Sequence, residues 1–136
     1  MLYLEINFMS IILATLASMA LGMAWYIILE KQWIKATGKN KDDLMASGSS
    51  IPFIWAAIAQ LIMAIFIYKL TGMLFDGTID IKNTVHTGML LWFGFILTSM
   101  IINHRYQNMS WKLTLIDGGY MLGVVIVQGV ILGIFG

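Results

Sequence analysis

Read along its length, the chain alternates long apolar runs with short polar breaks. Ile6–Leu29 contains no Asp, Glu, Lys or Arg, and neither does Ile51–Tyr68 or Asn83–Asn103. Leu113–Gly136 contains one such residue, Asp117. A hydrocarbon core about 30 Å thick is crossed by roughly 20 apolar residues rising 1.5 Å each. The pattern therefore predicts four transmembrane helices, over approximately 6–29, 51–74, 83–103 and 112–135. The expected fold class is all-α, a polytopic transmembrane four-helix bundle. One integral membrane domain, 1–136, then accounts for the whole chain.

The breaks carry local signals. Gln32–Thr37 extends the first helix to Gly38, a residue suited to the left-handed position after a helix end. Asn40 followed by Asp42 and Asp43 reads as the start of a short surface helix through Ala46, which Gly48, Ser49 and Ser50 interrupt. Pro52 falls in the first turn of the second span, where its missing N–H costs nothing. Asp76 and Gly77 break the chain in the DGTID turn. The first span has a ridge of small residues four apart, Ser10, Ala14, Ser18 and Gly22. Ala56, Gln60 and Ala64 repeat that spacing, and the fourth span carries the pairs Gly119/Gly123 and Gly129/Gly133. Such ridges let helix backbones approach closely in lipid.

Composition agrees: 60% of residues are hydrophobic and 11% charged, against about 25% charged in a soluble domain. A net charge of +1 offers no basic patch to neutralise phosphates, which excludes electrostatic nucleic-acid binding. The absence of cysteine excludes disulfides, thiol catalysis and Cys-ligated metals. The segment MLYLEINFM has no basic residue before its apolar run, so a retained first helix is expected rather than a cleaved signal, and no lipidation motif is visible. Lys31, Lys35, Lys39 and Lys41 lie in the first connection, Arg105 and Lys112 in the third, and Lys69 and Lys82 in the second. The positive-inside rule then predicts the first and third connections in the cytoplasm and both termini outside.

Asp117 is the sharpest candidate for chemistry. It lies about six residues, roughly 9 Å, into the fourth helix, where a charge costs up to ~2.5–3.5 kcal/mol on insertion scales. His104 and Arg105 end the third helix on the same side, so a pair across the hairpin is expected, with Asn103 beside it and Tyr120 one turn on. Such a network is either a proton or ligand site or a buried tether between helices; tethers are the commoner case. On a 100° wheel Asn83, His86, Thr87, Gly94, Thr98 and His104 share one face of the third span. The stripe is expected to face protein, as a lined pathway or, more commonly, as interhelical hydrogen bonds. Gln60, Gln128 and Asn7 read as packing hydrogen bonds, the methionines as flexible packing, and Trp92 as a core filler. His86 and His104 are 18 residues and about 27 Å apart, too far to ligate one iron. No metal-ligand constellation and no cofactor is expected.

Two stretches carry a resemblance. LGMAWYIILEKQWIKATGKNKDDL has an aromatic pair, then a second Trp before a Gly; LLWFGFILTSMIINHRYQNMSWKLTLIDGGYMLGVVIVQGVILG has a Trp-x-Gly-Phe, an Asn near the end of the third helix and a Leu-Ile-Asp-x-Gly-Tyr segment. The chain resembles the small bacterial four-helix membrane family catalogued as domain of unknown function 1761. The resemblance singles out Trp25, Tyr26, Trp33, Trp92, Gly94, Phe95, Asn103, Asp117, Gly119 and Tyr120. His104 departs from the Asn expected beside Asn103. The family implies the fold and a bacterial inner-membrane location but brings no activity. The expected function is a non-enzymatic membrane protein acting through helix packing, with the lipid bilayer and itself or other membrane subunits as partners. The alternative is a small oligomeric transporter or channel lined by the third helix and Asp117. Small multidrug exporters share this size, but their carboxylate lies well inside the first helix, whereas Glu5 here stands at the membrane edge.

Overall fold

The computed structural model describes residues 7–40 and 50–136, and these are helical apart from short turns. Five helices follow in order: α1 Phe8–Ile28, α2 Glu30–Thr37, α3 Ile51–Leu74, α4 Ile81–Tyr106 and α5 Trp111–Phe135. α1, α3, α4 and α5 are each long and apolar enough to cross a bilayer, which makes this a membrane-embedded chain. Glu5 and the expected surface helix through Ala46, with its Gly48 and Ser49 break, lie outside the described residues.

Local chemistry sets each boundary. Asn7 caps α1 by accepting from the Ser10 N–H, and its amide donates to the Phe135 carbonyl at 2.7 Å, tying the start of α1 to the end of α5. α2 continues α1 beyond a kink at Leu29 and stops at Gly38, where φ is +72°. α3 carries Pro52 in its first turn. Asp76 and Gly77 both take positive φ in the turn after α3. Asp80 caps α4 by accepting from the Asn83 N–H at 2.8 Å, so this helix starts two residues before the expected Asn83. Ser110 caps α5, accepting from the Leu113 N–H at 3.1 Å.

The four spans run up, down, up and down. α5 is the most buried of them and packs along both α1 and α4; α3 packs chiefly on α1. The predicted small residues mark these seams. Ser10, Ala14 and Ser18 are fully buried, and Gly22 lies against the Tyr120 ring. The two glycine pairs of α5 face different partners: Gly119 and Gly123 receive Trp25 and Leu21 of α1, while Gly129 and Gly133 lie against the backbone of α4 at Val85 and Ile81. The closest backbone approach is therefore between α4 and α5. Apolar side chains such as Phe8, Leu16, Trp55, Phe93 and Leu115 cover the outside, as lipid requires.

α4 is interrupted. Trp92–Ile96 forms a π turn, in which the Leu97 N–H donates to the Trp92 carbonyl five residues back. One extra residue in the turn advances the side chains about 100° relative to a straight helix. Before the turn Thr84, Thr87 and Gly88 face inward. After it Leu97 and Met100 reach Gly118 of α5, while Thr98 and Ser99 face outward.

Candidate functional site

The polar residues of the interior converge on α5. At mid-span Gln128 donates from Nε2 to the Gln60 carbonyl at 2.9 Å and to Ser18 Oγ at 3.2 Å. Ser18 in turn donates to Gln60 Oε1 at 2.6 Å. The Gln60 amide then donates to the Tyr120 hydroxyl at 2.7 Å. Three spans are thus joined by groups that find no water in hydrocarbon and bond to one another instead, with Gln128 Oε1 left without a partner among the described residues. All three of Ser18, Gln60 and Gln128 are buried. On the other side Thr71 Oγ1 donates to Thr87 Oγ1 at 2.8 Å, and Thr84 donates to the Gly129 carbonyl.

Asp117 stands nearer the end of the bundle that holds the first and third connections. Tyr26 of α1 donates its hydroxyl to Asp117 Oδ1 at 2.6 Å, a charge-assisted length. His104 Nε2 of α4 lies 3.9 Å from Asp117 Oδ2, close enough for attraction but too long for a hydrogen bond. The other ring nitrogen, Nδ1, is 2.7 Å from Thr114 Oγ1. Arg105 Nη2 donates to that same hydroxyl oxygen at 2.9 Å, and to the Met109 and Ser110 carbonyls. A guanidinium can only donate, so the Thr114 hydrogen is free to go to His104 Nδ1. In that arrangement a neutral ring carries its hydrogen on Nε2, the atom facing Asp117.

Aromatic rings enclose the carboxylate. Tyr26 makes edge contacts with Trp33 and Tyr120, at 5.7 and 5.1 Å between centroids. Trp25 Nε1 donates to the Ile116 carbonyl at 3.1 Å, and its ring lies against Gly119. Trp92 Nε1 donates to the Gly118 carbonyl at 2.9 Å. Seven of the ten residues singled out by resemblance therefore meet around one stretch of α5: Trp25, Tyr26, Trp33, Trp92, Asp117, Gly119 and Tyr120. Gly94, Phe95 and Asn103 face outward instead.

A family model described as a protein of unknown function, DUF1761, matches residues 9–133. The chain belongs to the DUF1761 family. No curated protein and no solved structure matches it significantly. In this DUF1761 protein the family resemblance and the tightest polar cluster fall on the same turns of α1 and α5.

Several sequence expectations need correction. Of the two basic residues expected as partners of Asp117, His104 is the one at ion-pair distance; the Arg105 guanidinium instead stacks 3.6 Å above the Trp111 ring and bonds to the hairpin carbonyls. Tyr120 does not close the Asp117 network through its hydroxyl, which Gln60 engages instead. The direct donor to Asp117, Tyr26, lies 91 residues away in sequence, far outside the hairpin of α4 and α5. The α4 stripe does not share one face. Thr87 faces α3, and His104 faces α5. Asn83 is half-buried and bonds to the Thr78 carbonyl. His86, Gly94 and Thr98 are exposed, and Thr98 bonds only to its own helix at the Gly94 carbonyl. Thr84 and Thr114 are also buried and bonded, and no spacing in the sequence marks them; only the path of the neighbouring helix does. Among the described residues no group of three or more His, Cys, Asp or Glu side chains could hold a metal.

Proposed function

We propose that this protein is a non-enzymatic integral membrane protein that acts through helix packing, as an oligomer of itself formed along the outer face of α4. The observation that carries the reading is where the polar groups of α4 point. The π turn directs Thr98, Ser99, Asn103 and Gln107 away from the bundle, although α4 is the least buried span. Ser99, Asn103 and Gln107 line an outward groove of about 510 Å³ with Phe95, Ile96 and Met100. Thr98 already donates to the Gly94 carbonyl of its own helix, hydrocarbon offers the Ser99 hydroxyl no partner, and Asn103 and Gln107 extend the polar face to the end of α4. Each carries both donor and acceptor, so a second copy related by a two-fold axis along the membrane normal meets them with the same residues at the same depth. The interior is consistent with this reading. Its hydroxyls and amides bond mainly to one another, and Asp117 serves as a tether held by Tyr26 and attracted by His104.

The chain has no cysteine, so a single introduced one reports without background. Ser99→Cys is expected to form oxidised dimers in native membranes, and Leu115→Cys, on the exposed face of α5, is not. A monomeric mass in mild detergent together with no Ser99→Cys dimer defeats the proposal. Co-purification of a different membrane protein at fixed stoichiometry redirects it to an accessory subunit. The transport alternative then requires a wet lining between copies, because His86 lines a side groove of α4 with Phe75, Ile81 and Met89 and Thr98 faces outward.

A further inference from the structure

A cleft opens sideways between α1 and α3, with Tyr120 of α5 at its base. It holds about 360 Å³, within the range of small-molecule sites. Met19 and Met23 of α1 and Ala56 of α3 form its apolar walls, and Gln60, Tyr120 and Gly22 its floor. Gly22 is what brings the phenol there: a Cβ at this position would lie 2.9 Å from Tyr120 Cε1 and 3.0 Å from its hydroxyl oxygen. The Tyr120 hydroxyl accepts from the Gln60 amide, and among the described residues no hydrogen bond engages its own hydrogen. The floor of an apolar cleft thus presents one directed donor.

The depth of that donor selects its acceptor. Tyr120 is nine residues into α5 and Gln60 nine residues into α3, roughly 13 Å from the helix ends. A 25-residue span exceeds a 30 Å core by only about 4 Å at each end. The hydroxyl therefore lies about 10 Å inside the hydrocarbon, below the interfacial layer where phospholipid ester carbonyls sit. We propose that the α1–α3 cleft binds an apolar, bilayer-dissolved carbonyl compound of the quinone type, with its carbonyl oxygen accepting from Tyr120. The flexible methionine walls suit a flat ring and a tail that leaves toward lipid.

The test uses the full chain purified in mild detergent and a short-chain benzoquinone, read by quenching of tryptophan fluorescence. Saturable binding is expected. Ala56→Phe fills the cleft from α3 while leaving Ser18, Gln60 and Tyr120 themselves unchanged, and is expected to abolish saturation. Tyr120→Phe is expected to weaken binding about 2- to 10-fold, the worth of one neutral hydrogen bond. Elution volume and helicity establish that each variant is folded, and the Ala56→Phe result stands even if Tyr120→Phe does not fold. Leu115→Phe, on the lipid face of α5, is expected to change nothing. Linear, unsaturable quenching overturns the proposal, as does saturation that survives Ala56→Phe. Displacement of the quinone by equimolar phosphatidylglycerol shows a lipid-tail groove and also overturns it. Unchanged affinity in folded Tyr120→Phe overturns the carbonyl contact.

Discussion

The seam between α4 and α5 is closed by glycine, and this makes a graded test possible. Gly129→Ala would put a Cβ 3.0 Å from the N, Cα and Cγ2 atoms of Val85. Two of these are backbone atoms and cannot turn aside. Carbon atoms rest at about 3.5–4.0 Å, so the helices must part by about 0.5–1 Å, which forfeits a quarter to a half of each contact along the seam. The Thr84 bond to the Gly129 carbonyl stretches with them. Overpacking of this kind costs about 1–3 kcal/mol. The better helix propensity of alanine returns up to ~1 kcal/mol. The net expectation is a loss of about 1–2 kcal/mol, a 5- to 30-fold fall in the folded-to-unfolded ratio. Gly133→Ala should cost more, because its Cβ would press closer still on the Ile81 backbone. Gly94→Ala, with nothing within 4 Å, should be neutral or stabilising. Reversible unfolding in mixed micelles, followed by circular dichroism, measures all three. Equal effects at Gly94 and Gly129, or a neutral Gly129→Ala, would show that the α4–α5 approach is not what the glycines provide.

Two further expectations follow from the interior bonds and one from the basic residues. Tyr26→Phe removes the donor to Asp117 and should cost about 1.5–3 kcal/mol in the same unfolding assay, while Asp117→Asn should largely keep the fold and Asp117→Leu should not, since an amide oxygen still accepts from Tyr26; equal abundance of the Asn and Leu variants would count against the tether. Thr71→Val should cost about 0.6 kcal/mol through loss of the Thr87 bond, and Thr98→Val should leave the stability of one copy unchanged; a larger loss at Thr98 would contradict the outward placement. For orientation, Lys39→Cys should be labelled only from the cytoplasm and Asp76→Cys only from outside, following the basic residues; the reverse pattern overturns it.

The spans were legible because they depend on composition over one length scale. Each apolar run is as long as the hydrocarbon is thick, and no tertiary contact is needed to say so. The end signals were local as well, which is why Gly38, Pro52, Asp76 and Gly77 appear where their backbone preferences place them. The ridge of Ser10, Ala14, Ser18 and Gly22 could be read as a packing face, but not assigned to Tyr120 or Gln60, because a ridge does not name its partner. Asp117 could be read as needing a donor. That the donor is Tyr26 depends on α1 lying against α5, a contact between opposite ends of the chain. The α4 stripe failed for a different reason. A 100° wheel assumes an unbroken helix, and the π turn at Trp92–Ile96 carries one residue more than that rule allows. The turn sets Trp92 against the Gly118 carbonyl and His104 toward Asp117, and it rotates Thr98 out to the lipid face. No periodicity in the chain announces that rotation; it is fixed by how α4 packs on α5.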